Sequence, residues 1–183
     1  MKIIGFAGKR KAGKTIAANI MEDLLIQRGM DPKKLSFSFY VRQAFCRANS
    51  LSSEDLKPTD EMLKRLIDFE WRMKIKTFVD LLARDILPGD YVVIDGVHYL
   101  EHLQFIHEKG GIVYRVEADK ALREMRGVKY TKGIDDHLRE TDLDFGSDTF
   151  RKLGGGVLYN NKTELDLKPE LEYIVKSKFL PKI

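Results

Sequence analysis

Residues 3–15 read IIGFAGKRKAGKT, and the fold turns on them. Ile3 to Ala7 form a short apolar run of the kind that makes a buried strand. Gly8 to Thr15 then match G-x-x-x-x-G-K-T, a phosphate-binding loop. Behind the loop, Ile16, Ile20 and Leu24, with Ala17, Met21 and Leu25, recur at helical spacing. With glycine at roughly 7% of residues, such a match arises by chance in fewer than about one chain in a hundred of this length. Backbone N–H groups that line a loop and point into a helix N-terminus make a site for a multiply charged anion. Gly8 and Gly13 allow the tight turn and the close approach of backbone to phosphate. The Lys14 ammonium suits the β- and γ-phosphates, and the Thr15 hydroxyl suits Mg²⁺. Lys9, Arg10, Lys11 and Ala12 complete the loop. Direct phosphate contact and a solvated basic turn describe the three cations among them equally well.

Composition narrows the classes around this motif. A chain of 183 residues, 43% hydrophobic and 33% charged, is most simply one globular domain with a substantial core. No apolar stretch approaches a membrane span. The start of the chain carries no signal-peptide pattern, so a cytoplasmic location is expected. Cys46 is the only cysteine, which excludes a disulfide framework and a cysteine-based metal site. The net charge of +4 suits small anionic partners and is too modest to argue for nucleic acid. The sequence leaves the oligomeric state open, a homodimer included.

Further along, apolar runs alternate with helical patterns. Strands are predicted at 2–7, 35–38, 91–94, 112–116 and 156–159. Helices are predicted after the loop to Arg28-Gly29, at 40–48, over 59–87, at 100–109 and at 171–179, with a helix start near Leu51-Ser52-Ser53-Glu54. This alternation predicts a three-layer α/β fold with about five parallel strands covered on both faces. Residues 39–76 and 119–150 exceed the plain alternation. The domain is therefore expected to have a core at 1–38, 77–118 and 151–183, an acceptor-binding insert at about 39–76 and a lid at about 119–150. Ligands in such sheets bind over the carboxyl ends of the strands.

Two further groups bear on chemistry. Asp95 ends the run Tyr91-Val92-Val93-Ile94, where an acidic residue beside a phosphate-binding loop organises Mg²⁺; a plain strand-ending turn is the alternative. Between Asp119 and Phe150 lie Lys120, Arg123, Arg126, Lys129, Lys132 and Arg139. Arg123 and Arg126, at i and i+3, share a helix face. Arginines that close over a transferring phosphoryl group stabilise its spread charge and exclude water, with Gly127 and Gly133 as hinges. The alternative is a solvated amphipathic helix, since Glu124, Asp135 and Asp136 are interleaved.

Together these motifs resemble the nucleoside-monophosphate-kinase group of P-loop kinases, most of all the deoxynucleoside monophosphate kinases of bacteriophages. The resemblance rests on GKRKAGKT at 8–15, VVIDGVHYLEHLQFIHEKGGIVYRVEA at 92–118, DDHLRETDLD at 135–144 and LYNNKTELDL at 158–167. The chain is also similar to animal-type phosphomevalonate kinases, through the loop and through REMRGVKYTKGIDD at 123–136. What the resemblance implies is transfer of the γ-phosphate of ATP, with Mg²⁺, to a small phosphorylated acceptor. Lys14 would stabilise phosphate, Thr15 and Asp95 would organise the metal, and Arg126, with Arg123, would act from the lid. Asn160 and Asn161 fall in the loop that borders the adenine in relatives, and Arg42 falls where relatives bind the acceptor phosphate.

The sequence departs from the family at His98, where an arginine is usual, at Arg139, which precedes Glu140 in place of a serine, and in 59–76, which lacks a glycine-containing stretch although Glu70-Trp71-Arg72 is similar to an E-W-G-R piece. Arg42, Trp71, Arg72, His98 and Arg139 make the expected acceptor set. Trp71 serves either base stacking or the core, and His98 either binds acceptor phosphate or caps the next helix. His102 and His107 are expected at the surface, and His137 to be structural. A nucleotide-dependent switch is the reading from another class: Asn161-Lys162-Thr163-Glu164 faintly resembles N-K-x-D, but position 98 is His and breaks the D-x-x-G spacing.

Overall fold

The structure, a computed structural model, describes residues 2–57, 59–127, 131, 134, 148–161 and 167–180. Five parallel strands form one sheet: β1 (Lys2–Ala7), β2 (Pro32–Ser36), β3 (Tyr91–Val97), β4 (Ile112–Glu117) and β5 (Gly154–Tyr159), in the order β2-β3-β1-β4-β5. This is the expected α/β architecture. β1 is central, and the connections leaving β1 and β3 run to opposite sides of the sheet. A crevice forms at that point, over the carboxyl ends of the strands, and the loop after β1 opens into it.

The three central strands, β1, β3 and β4, are buried on both faces, so the side-chain alternation divides two cores. Ile4 and Phe6 of β1, Val93 of β3 and Val116 of β4 pack with Ala17, Ala18, Met21, Leu24 and Leu25 of α1 (Lys14–Ile26) and with Leu167, Leu171 and Ile174 of α8 (Leu167–Ile174). Ile3 and Ala7, Val92 and Ile94, and Val113 face the other way. They pack against α2 (Phe37–Asn49), α3 (Asp60–Arg72), α4 (Ile75–Arg84), α5 (Leu100–Glu108) and α7 (Asp148–Leu153). Burying each Leu or Met of α1 is worth about 1.5–3 kcal/mol, so the helix behind the phosphate-binding loop is anchored along its length. It ends where expected: Gly29 is left-handed (φ 75°) and the Met30 N–H bonds Leu25 O at 3.1 Å.

Several boundaries differ from the sequence reading. β2 covers Pro32–Ser36 and α2 begins at once at Phe37, because Phe37, Tyr40, Val41 and Phe45 share one buried helical face. The long helix expected over 59–87 is two helices, separated at Lys74 with φ 65°. Thr59 caps the first through its hydroxyl, which accepts from the Met62 N–H at 3.2 Å. The segment at Ser53–Asp55 is a single 3₁₀ turn. β3 does not stop at Asp95: Gly96, at φ 81°, forms a bulge that shifts the register between Phe6 and Ala7 and carries the strand to Val97. α8 starts earlier than expected and continues into a π-helical turn at Val175–Phe179. Among the described residues, no helix is long and apolar enough to cross a membrane.

Candidate active site

The loop from Gly8 to Gly13 is held by neighbours distant in sequence. Gly8 has φ 134°, and a Cβ there would lie 2.2 Å from the carbonyl oxygen of Val116 on β4. Gly13 has φ 109°, and a Cβ there would lie 2.2 Å from the side-chain nitrogen of Asn160. Both glycines are therefore required by conformation and by space. Lys11 also adopts positive φ, at 61°. Lys14 opens α1 with its ammonium turned back over the loop, donating to Gly8 O at 2.6 Å and Lys9 O at 2.9 Å. Thr15, one residue on, is exposed.

A cleft of about 420 Å³ opens beside this loop. Arg10, Lys11, Lys14 and Thr15 line it from the loop, Ser38, Val41 and Arg42 from α2, Leu63, Leu66 and Glu70 from α3, and His98 and Ile134 complete it. The structure thus brings Arg42 and His98 of the expected acceptor set into one cavity with the loop. Arg10 ion-pairs with Asp60 at the start of α3 at 3.3 Å. Asp60 also accepts from the Thr131 hydroxyl at 2.6 Å. That hydrogen bond first, and the Arg10 charge after it, hold the Asp60 carboxyl below its ordinary value despite opposing desolvation.

Trp71 and Arg72 are not among the residues lining this cleft. Each residue of a helix is rotated by about 100° from the last, and the spacing Leu63, Leu66, Glu70 is the one that faces the cavity. Trp71 is 41% exposed and meets the Tyr99 ring edge-on at 5.8 Å. Arg72 lines a separate groove with Phe45, Asn49, Arg65, Asp68 and Phe69. Glu70, named in the E-W-G-R likeness but left out of the expected acceptor set, is 2% exposed and accepts a hydrogen bond from the Tyr99 hydroxyl at 3.1 Å. In the sequence, the i, i+3, i+7 spacing with Leu63 and Leu66 is what sets it apart from Trp71 and Arg72.

His102 is not at the surface. Its ring is fully buried, stacked on Phe37 with centroids 3.6 Å apart, and its Nδ1 accepts from the His98 backbone N–H at 3.3 Å. His102 thus ties down the backbone just before α5, and the His98 side chain lines the cleft. His107 is exposed, as expected.

Asp95 faces the α1 side of the sheet. It stands two residues after Val93, which packs in the α1 core, and before the bulge at Gly96 reverses the alternation. Thr15 and Asp95 offer hard oxygen donors, and no group of three metal-ligating side chains occurs among the described residues. This donor set fits Mg²⁺, which is held by one or two protein oxygens together with substrate phosphates, and does not fit an all-protein cage.

On the other side of the loop, Asn160 does something the sequence did not indicate. It is fully buried, and its side-chain amide donates to Ala12 O at 2.9 Å while its own N–H bonds Glu117 O at 2.7 Å. Asn160 braces the loop with that amide. Asn161 is exposed and exchanges hydrogen bonds with Asp119, at 2.9 Å to its N–H and 3.1 Å to its carboxylate. Arg126, at the end of α6 (Lys120–Met125), donates to Lys11 O at 3.3 Å and to Asn160 O at 3.1 Å. Arg123 turns back to Ala118 O at 3.2 Å, at the root of its own helix. Lys129, Lys132, Gly133, Asp135, Asp136, His137 and Arg139 lie outside the described residues.

No family model matches the chain, and no curated protein matches it in sequence. Solved structures do match in fold over almost its whole length. An APS kinase from Mycobacterium tuberculosis, in complex with AMPPNP and APS, aligns over 96% of this chain and 95% of its own at 13% identity, with a TM-score of 0.56. A shikimate kinase from Acinetobacter baumannii, in complex with shikimate, aligns over 98% and 95% at 14% identity, with a TM-score of 0.58. A gluconokinase from Sinorhizobium meliloti aligns over 97% and 94% at 12% identity, with a TM-score of 0.54. The loop, the sheet order and these likenesses agree that the chain has the α/β fold of small-molecule P-loop kinases.

Proposed function

We propose that this chain is a kinase that transfers the γ-phosphate of ATP to the phosphate of a (deoxy)nucleoside monophosphate. The observation that carries this reading is the shared cleft: Lys14 and Thr15 of the phosphate-binding loop line the same cavity as Arg42 and His98. A donor half and a cationic acceptor half thus adjoin in a volume suited to a small molecule. The resemblance to nucleoside-monophosphate kinases supports the choice of acceptor. The bound analogue AMPPNP in the APS kinase supports a nucleotide donor.

In the reaction, an oxygen of the acceptor phosphate forms a bond to the γ-phosphorus. The bond to the bridging oxygen breaks, and its electron pair leaves on ADP. An acceptor phosphate is already ionised near neutral pH, so positioning and charge stabilisation supply the catalysis. In this reading Lys14 neutralises charge on the transferring group, and the loop N–H groups hold the donor phosphates. Arg42 and His98 orient the acceptor. Arg126 completes the donor side from beside Lys11 and Asn160. Thr15 and Asp95 would hold Mg²⁺, which when bound neutralises charge on the triphosphate. Residues 39–76 would be the acceptor-binding insert and 119–150 the lid.

The test is an ADP-release assay with ATP and each common NMP and dNMP, with mevalonate 5-phosphate, shikimate and gluconate as competitors for the assignment. Turnover confined to nucleotides is expected. Turnover only of mevalonate 5-phosphate or of a polyol would replace the acceptor and keep the kinase. ATP hydrolysis indifferent to every acceptor would favour a nucleotide-dependent switch.

A further inference from the structure

A second cleft, of about 410 Å³, nearly equals in volume the one beside the loop. It opens at the amino ends of β4 and β5, whereas the phosphate-binding loop leaves the carboxyl end of β1. The strands are parallel, so the two clefts stand at opposite ends of the sheet. A cavity of this volume is large enough for a small ligand, and such cavities are few in any protein. The kinase reading makes no use of this one.

Its shape comes from a fault in the ladder. Val113 pairs with Gly154 and Tyr114 with Gly156, so Gly155 is an extra residue bulged out of β5. Bulges between parallel strands are rare, and bulges are over-represented beside functional sites. The run Gly154-Gly155-Gly156 makes this one possible. A Cβ at Gly155 would lie 2.1 Å from Ile112 Cγ2 and 2.8 Å from the Tyr114 ring, and Gly156 has φ 141°. The result is a floor of bare peptide at Gly154 and Gly155, flanked by Ile112 and Tyr114.

Basic side chains surround that floor. His107 lines the cleft from α5, Lys152 from α7 and Lys178 from the π-helical turn after α8. Among the described residues, no acidic side chain lines the cleft, and none of these three side chains forms a hydrogen bond or an ion pair. A basic residue in the last turn of a helix often answers the helix dipole. At α5, however, the last carbonyls are already satisfied by backbone. Phe105 O accepts from the Lys109 N–H at 3.1 Å, Ile106 O from Gly111 at 2.8 Å and His107 O from Gly110 at 2.8 Å. Nor does a dipole explain why three separate elements direct basic groups into one cavity.

We propose that this cleft is a second binding site, for a small phosphorylated anion with a compact planar body. Lys152 and Lys178 neutralise the phosphate, and the His107 ring supplies a further hydrogen bond. The planar body lies on the peptide groups of Gly154 and Gly155, where a side chain would stand in its way.

The experiment titrates phenyl phosphate into isotope-labelled protein saturated with AMPPNP and Mg²⁺, so that the cleft beside the loop is occupied, and follows the backbone amides by NMR. Saturable shifts are expected at Gly110, Gly111, Gly154 and Gly155. Inorganic phosphate, which lacks the ring, is expected to bind at least about threefold more weakly. The double variant Lys152→Glu with Lys178→Glu changes two exposed positions. It is expected to weaken phenyl phosphate binding at least about tenfold and to leave AMPPNP affinity, measured by calorimetry, unchanged. Absence of saturable shifts at those glycines overturns the inference. Shifts that vanish once AMPPNP is added overturn it too, because the anion was then in the cleft beside the loop. Undiminished affinity in the double variant does the same, and equal affinity for inorganic phosphate overturns the ligand class. Failure of AMPPNP to bind at all would count against the kinase reading alone, since the glycine shifts and the double variant still decide this one.

Discussion

Asn160→Ala separates two roles that the sequence could not tell apart. If Asn160 only bordered the adenine, its loss would weaken ATP binding and leave the empty protein as stable as before. The structure instead ties its side-chain amide to Ala12 O at 2.9 Å inside the phosphate-binding loop, with Asn160 and Ala12 both fully buried. Removing that donor leaves a buried carbonyl without this partner, a cost of about 1–3 kcal/mol. The vacated space adds about 1 kcal/mol, for a total of about 2–4 kcal/mol. For a chain of this size that lowers Tm by about 4–16 °C. The loop also loosens against β5, so ATP affinity falls as a consequence. Urea unfolding of the nucleotide-free protein measures the first effect by linear extrapolation, and calorimetric titration with ATP measures the second. Unchanged stability alongside weakened ATP binding would refute the bracing role and return Asn160 to the adenine pocket.

Other substitutions test the remaining parts. Lys14→Ala is expected to abolish phosphoryl transfer with an intact fold by circular dichroism; near-normal turnover would contradict the loop assignment. Arg126→Ala is expected to lower kcat by about 10² to 10³. Arg123→Ala, whose guanidinium among the described residues bonds the root of its own helix, should change kcat by no more than about twofold; steady-state kinetics on both variants decides between the two arginines. Acid stability tests Asp90, which accepts from Lys33 Nζ at 2.9 Å and from the Leu87 N–H at 2.7 Å. The lysine bond first, then the backbone bond, hold its carboxyl below the ordinary 3.8. Because the unfolded chain takes up the proton first, this contribution is present above 3.8 and is lost as pH falls below it. The stability gap between wild type and Asp90→Asn should therefore close on acidification, as chemical unfolding at pH 7 and pH 3 would show.

The strand–loop–helix at the start of the chain was legible because its constraints are local. Gly8 and Gly13 need positive φ, Lys14 and Thr15 follow in fixed register, and the spacing from Ala17 to Leu25 can only be one face of a helix. The parallel sheet was legible for a similar reason, since Ile3–Ile4 and Val92 to Ile94 are apolar on both sides of the pleat. The expected acceptor set was legible only in part. Arg42 and His98 line the cleft, but Trp71 and Arg72 entered through the E-W-G-R likeness, whereas helical rotation brings the Glu70 of the same stretch to the cleft. His102 looked like a surface residue because nothing in a linear sequence reveals that Phe37 stacks on it.

The sequence by itself thus determined the phosphate-binding loop, the helix behind it and the alternating α/β plan. All three follow from backbone conformation and from periodicities of two and 3.6 residues. Only the tertiary structure decided that Asn160 braces the loop, that Arg126 meets Lys11 while Arg123 turns away, and that the buried Glu70 lines the cleft beside the loop. Those pairings join residues as much as 148 positions apart. Their partners are chosen by strand order and helix rotation, which no local pattern encodes.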